Sequence, residues 1–297
     1  MIKRTLYFGN PHHLSAKLKQ LIITNKETGE VKQTPIEDLG FVILDHHEIT
    51  FTQSMIQELS ENNTALIVCN DKHHPASLML PLDSNQVQAE RFSHQISASE
   101  PLKKQLWQQT VKSKILNQSK LLDLLGKNGK ALHYLATQVK SGDSSNEEAQ
   151  ASRRYWKELF ELPNFKRDRF GDFPNPLLNY GYAILRAAVA RGLVGSGLLP
   201  TLGIHHHNKY NAYALADDIM EPYRPFVDKV VVHLASLYPD ENELTKPMKT
   251  ELINVLNADI LINSNRSPLM VGLSQTTASL ARCFAGEEKK IVYPELI

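Results

Sequence analysis

Along the first part of the chain, apolar residues come in short runs broken by turn formers, which is a strand pattern. Leu18 to Thr24 predicts a strand, Asn25-Lys26-Glu27-Thr28-Gly29-Glu30 a turn, and Val31 to Thr34 the returning partner of a hairpin. Gly40 to Leu44 predicts another strand. Thr64 to Asn70 predicts a buried one, ending in the loop Asp71 to Pro75. Between them, Thr52-Gln53-Ser54-Met55 reads as the capped start of a helix that Asn62-Asn63 closes.

From about Val87 the period lengthens to that of a helix. Leu102, Leu106, Trp107, Val111, Ile115 and Leu116 share a stripe that continues through Leu121, Leu122 and Leu125 until Gly126 and Gly129 interrupt it. Further helices are expected over Ala131 to Lys140 and Asn146 to Leu162. A loop over Pro163 to Pro176 precedes a helix over Leu177 to Val194, stopped by Gly195-Ser196-Gly197. A helical stretch from near Asn211 carries Pro222 and Pro225, and the last two helices fall near Glu241 to Asn257 and Leu269 to Gly286. The change of period places a domain boundary between Leu82 and Pro101. The expected class is α+β, with a small N-terminal β domain over 1–90 and a larger all-α domain over 91–297.

Composition narrows the class. Over 297 residues, 42% apolar and 22% charged content is that of an ordinary globular protein. The longest apolar runs, such as Phe41 to Leu44 and Ala65 to Cys69, are too short to cross a bilayer, and MIKRTLYFGN has no signal-peptide pattern. The two cysteines, Cys69 and Cys283, form no CxxC motif and fit a reducing, cytoplasmic setting. A net charge of +1 favours no partner by itself, although Lys103-Lys104, Lys112, Lys114, Lys120 and Arg153-Arg154 are clustered enough to form a basic face.

The chemistry-bearing residues lie in the second part. His12-His13, His46-His47 and His73-His74 read as surface or loop residues. The triple His205-His206-His207 stands instead just before Asp218-Ile219-Met220-Glu221-Pro222. Asp218 and Glu221, three apart, share a helix face. Two carboxylates beside an imidazole suit magnesium or manganese better than zinc; a solvated acidic face is the plainer alternative. Glu147-Glu148 either faces a partner element across the small residues Ala149, Ala151 and Ser152, or complements a helix N-terminus capped by Ser145 or Asn146.

Three blocks resemble CRISPR-associated protein one, the adaptation integrase, most closely in its type II form. They are Ser145-Asn146-Glu147-Glu148-Ala149-Gln150-Ala151-Ser152-Arg153-Arg154-Tyr155-Trp156, Gly203-Ile204-His205-His206-His207-Asn208 and Asp218-Ile219-Met220-Glu221-Pro222-Tyr223-Arg224-Pro225. Weaker support comes from Trp107, from Lys114-Ile115-Leu116-Asn117-Gln118 and from Leu178-Asn179-Tyr180-Gly181-Tyr182. The resemblance implies a metal-dependent DNA endonuclease and integrase that inserts short fragments into a CRISPR repeat by transesterification. It implies Glu148, His206 and Glu221 as the catalytic ligands of Mg2+ or Mn2+. His206 is selected by its distance from Gly203. Asp218 would tune the site, and Asn208 and Asn211 would orient His206 or DNA. Arg153, Arg154, Lys209, Arg224 and Lys229 are candidate DNA contacts, as are Tyr180 and Tyr182, for which core packing at helical spacing is the equal alternative. The family's β domain forms a homodimer, and two dimers flank a dimer of CRISPR-associated protein two; no membrane is involved. A free-standing nuclease for branched DNA and a non-catalytic DNA-binding scaffold are the rival readings.

Overall fold

In the computed structural model, which describes residues 3–160, 165–239 and 241–297, the chain forms two compact units, residues 1–86 and 87–297. The first is built from β1 (Arg4–Phe8), β2 (His12–Lys17), β3 (Gln20–Asn25), β4 (Val31–Pro35), β5 (Leu39–Leu44), β6 (Thr50–Phe51), α1 (Gln53–Glu61), β7 (Ala65–Cys69) and β8 (Pro75–Met79). One sheet has the order β1-β5-β7-β8, with β1, β5 and β7 parallel and β8 antiparallel. Every residue of β5 is buried, which explains its unbroken apolar run. The second sheet has the order β4-β3-β2-β6. Leu14, Leu21, Val42, Met55, Leu59 and Leu66 join in one core. Thr52 caps α1 by accepting the Met55 N–H at 3.3 Å, as the sequence predicts.

The expected strand from Leu18 is corrected. Leu18 and Lys19 have φ of 50° and 59° and make the two-residue turn between β2 and β3. Neither residue favours that conformation, so the sequence carries no turn signal there. β1, β2 and β8 escaped the sequence pattern, and His12-His13 lies on β2 rather than in a loop.

The second unit contains α2 (Gln88–Ile96), α3 (Glu100–Leu124), α4 (Lys130–Gln138), α5 (Glu147–Leu159), α6 (Asn175–Gly195), α7 (Ala214–Met220), α8 (Arg224–Leu237), α9 (Lys246–Asn254), β9 (Asp259–Ile262), β10 (Asn265–Pro268) and α10 (Leu269–Phe284). The expected all-α domain is therefore corrected by the β9–β10 hairpin, whose turn residues Asn263 and Ser264 have φ of 49° and 62°. The expected helix end at Leu162 and loop start at Pro163 lie outside the described residues.

Two helices organise this unit. α3 packs against α4, α5 and α8, and α6 packs against α7, α8, α9 and α10. α6 is apolar nearly all round because it is buried nearly all round. A Cβ at Gly181 would come within 2.4 Å of Val227, so glycine lets α6 and α8 approach. Pro222 and Pro225 interrupt the helical ladder, and a single 3-10 turn over Glu221–Tyr223 joins α7 to α8. That turn aims Glu221 at α3. No helix among the described residues is long and apolar enough to cross a membrane.

Candidate metal centre

Glu148 sits in the first turn of α5. The cap there is neither Ser145 nor Asn146. Asn146 is left-handed with φ 56° and makes no side-chain cap bond. Asp143 accepts the N–H groups of Glu147 and Glu148 at 2.9 and 3.0 Å. Glu147 is the more buried of the pair, and Glu148 is the one that turns to α3.

On α3 stands Lys114, only 7% exposed. Its ammonium lies 2.5 Å from Glu148 Oε1 and 2.6 Å from Glu221 Oε2, so two acids from distant parts of the chain meet at one cation. Arg224 Nε lies 2.9 Å from the other oxygen of Glu221. Burial lowers the Lys114 pKa, but the Glu221 and Glu148 carboxylates overcome it and hold the ammonium above its ordinary value. Burial also opposes the Glu221 charge, and Arg224 with Lys114 outweighs it, so this carboxyl is held below its ordinary value. Glu148 Oε1 accepts a hydrogen bond from Lys114. Buried Glu221 Oε2, although within ion-pair distance of that ammonium, has no aligned hydrogen-bond partner. Asn117, one turn along α3, donates to the carbonyls of Pro222 and Pro294 at 2.8 and 3.0 Å and fixes the 3-10 turn.

The histidine loop hangs on Asp218, which is fully buried in α7. Asp218 Oδ2 accepts the N–H groups of Ile204 and His205 at 2.8 and 2.9 Å, and Oδ1 accepts that of His206 at 3.3 Å. Oδ1 also takes the His206 Nδ1–H in a short hydrogen bond. The Nδ1 proton is thereby assigned, which leaves Nε2 as the free nitrogen. The bond to Asp218 raises the His206 pKa, against burial. A Cβ at Gly203 would lie 2.4 Å from the His206 carbonyl oxygen and 2.9 Å from Asp218 Oδ2, so the tight loop requires glycine there. Buried Trp107 stacks on His205 at 4.1 Å and meets His206 edge-on at 5.6 Å. His205 is thus stacked on Trp107 although exposed, its pKa lowered by burial and then by His206.

The remaining candidates divide. Tyr180 is fully buried, which favours the core-packing alternative. Tyr182 and Tyr155 donate to buried Asp228, and Arg224 lies over the Tyr182 ring at 4.6 Å. Arg224 is therefore held between Glu221 and Tyr182 with its side chain 26% exposed. Asn211 donates to Asp217 at 2.7 Å, and Arg186 pairs with the same carboxylate at 2.6 Å; Asn211 therefore braces α7 rather than His206. Asn208 accepts the Tyr210 N–H at 3.0 Å within the loop. Lys209, Lys229, Arg153 and Arg154 are exposed, and Lys229 donates to the Ile297 carbonyl at 3.0 Å. Lys103, His206, His207 and Lys209 help line one cleft of about 400 Å³. Arg153, Trp156, Lys157, Phe165, Lys166 and Arg167 line another, of about 420 Å³, along α5. Among the described residues, no three His, Cys, Asp or Glu side chains stand close enough as they are to hold a metal ion. The point where Glu148 and Glu221 meet is taken by the Lys114 ammonium.

The family profile described as CRISPR associated protein Cas1 matches residues 6–239. The chain is 36% identical over 300 residues to the CRISPR-associated endonuclease Cas1 of Neisseria meningitidis serogroup C (strain 8013), covering 100% of this chain and 97% of that one. Its fold is similar to that of a casposase bound to integration product, with TM-score 0.80 and 20% identity over 98% of this chain and 92% of the other. It is also similar to part of a Cas6-RT-Cas1–Cas2 complex, with TM-score 0.74 and 22% identity over 99% of this chain and 36% of that longer one.

Proposed function

The chain belongs to the Cas1 family, and from that premise we propose that it is a metal-dependent DNA endonuclease and integrase that inserts short fragments into a CRISPR array. The observation that carries this reading is the meeting of Glu148 and Glu221 at one cation beside the histidine loop. The donor set fits a hard divalent ion, and buried Glu221 Oε2 already faces a cation, 2.6 Å from the Lys114 ammonium. Glu148, His206 through Nε2, and Glu221 would be its protein ligands. Magnesium or manganese held there would neutralise phosphate charge and stabilise the charge that develops in the transition state.

The chain's own groups do the positioning. Asp218 keeps the His206 Nδ1 proton and points the ring, and Arg224 keeps Glu221 ionised and fixed. Lys209, Arg153 and Arg154 supply phosphate contacts that hold the DNA backbone in register. In the reaction, the 3′-oxygen of an incoming fragment bonds to the phosphorus of a repeat phosphodiester as the bond to the displaced 3′-oxygen breaks. One proton passes overall from the attacking hydroxyl to the leaving one. With water as the nucleophile, the same site hydrolyses DNA.

For partners we propose DNA, a second copy of this chain joined through the N-terminal unit, and a Cas2 dimer flanked by two such dimers. The likeness to part of a Cas1–Cas2 complex supports Cas2 as a partner. The test incubates labelled fragments, a repeat-bearing plasmid, the Cas2 partner and Mn2+. Wild type is expected to give joined product and Glu148→Ala none. Cleavage of branched DNA without joining would mean a free-standing nuclease. DNA binding unchanged by chelator, with no products, would mean a scaffold.

A further inference from the structure

We propose that Lys114 is a built-in counter-ion that occupies the cation position between Glu148 and Glu221 in the metal-free protein and competes with the divalent ion for it. The proposal rests on the reading of these two acids as metal ligands. Lys114 is nearly buried, and it projects from the middle of the rigid helix α3. Its ammonium reaches both carboxylates at 2.5 and 2.6 Å. Without it, two acids would face each other across a space only one small cation wide, with Glu221 itself buried.

The ammonium is shared, hydrogen-bonding Glu148 and ion-pairing with Glu221. A compact point charge on a flexible four-carbon stem is suited to such a place and can withdraw from it. Arginine is already present on the other side of Glu221, at 2.9 Å, so the acid keeps one cationic neighbour when the lysine leaves. The arrangement keeps the acid pair preformed, and the metal gains its site only by displacing a resident charge. Lys114 is thus a positioning residue whose removal should strengthen metal binding while weakening the metal-free fold.

The test uses the full chain and Mn2+ alone, with free Mn2+ read by electron paramagnetic resonance and melting followed in chelator and in Mn2+. Lys114→Met is expected to bind Mn2+ about tenfold more tightly than wild type. It should melt lower in chelator and show a larger rise in melting temperature on adding Mn2+. Unchanged or weaker Mn2+ affinity would overturn the proposal. Lys114→Gln, which can still donate to one carboxylate, carries the same comparison if the methionine variant does not fold. Glu148→Gln and Glu221→Gln in the wild-type background separate the two claims. If neither lowers Mn2+ affinity, the ligand assignment itself fails, whatever Lys114 does.

Discussion

On the acid side of the site, Glu221 and Glu148 are brought together by charge: a nearly buried lysine joins them, and Arg224 braces Glu221 from behind. On the histidine side, an exposed loop is held by one buried aspartate that accepts three backbone N–H groups and an imidazole. The acid side depends on ionic balance and tolerates little change in charge. The histidine side depends on hydrogen-bond geometry and tolerates change at any residue that Asp218 does not hold. Both hold a candidate ligand at a predetermined point.

The largest effect that sharpens this contrast is expected from the acids. Glu148→Ala and Glu221→Ala should each lower strand transfer on the order of a thousandfold, scored as joined product in Mn2+. Glu221→Ala should also lower stability by about 3 kcal/mol, since Lys114 and Arg224 lose their common partner. Glu148 is less buried and should show the smaller loss in a thermal melt. Equal losses would remove the distinction between a buried and a peripheral acid. Next comes Asp218→Ala, which frees the loop. A stability loss of about 2–3 kcal/mol should accompany a fall in strand transfer of roughly a hundredfold. A variant with full activity would show that the loop is held by something else.

A third test concerns the buried acid behind the site. Burial raises Asp228 from 3.8 to about 6, against the bonds from Tyr182 and Tyr155. The folded state therefore keeps a proton that the unfolded chain releases near 3.8. That contribution to stability is complete below the unfolded value and is lost as pH rises through about 6. Asp228→Asn should flatten the melting temperature across this window, and an unchanged pH profile would dismiss the account. The smallest effect belongs to His205→Ala, which loses the Trp107 stack and about 1 kcal/mol, with strand transfer within a few fold of wild type. An inactive His205 variant beside an active His206→Ala variant would move the ligand by one residue.

Much of the helical layout was legible because its apolar period is long and regular, and α1 was legible from its Thr52 cap. The β2–β3 turn was not, because Leu18 and Lys19 adopt left-handed backbone without glycine or asparagine. Among site residues, the acids and the histidine loop were visible as motifs. Lys114 was visible as part of a basic cluster and of a weaker family block, without a role at the site. A sharper signal was present: it lies on the same buried stripe as Trp107 and Val111, where a lysine must have partners. Asp228 carries a like signal, an acid within the apolar run Phe226-Val227-Asp228-Lys229-Val230-Val231. Asp143 gave none, since it caps α5 from across a turn in which Asp143 itself and Asn146 are left-handed.

The most direct measurement is a crystal of the full chain soaked in Mn2+ with anomalous scattering recorded at the manganese edge. The account predicts one strong peak bonded to carboxylate oxygens of Glu148 and Glu221 and to Nε2 of His206, with the Lys114 ammonium displaced. A peak elsewhere, or Lys114 still seated between the two acids with no ion beside them at saturating Mn2+, would contradict it.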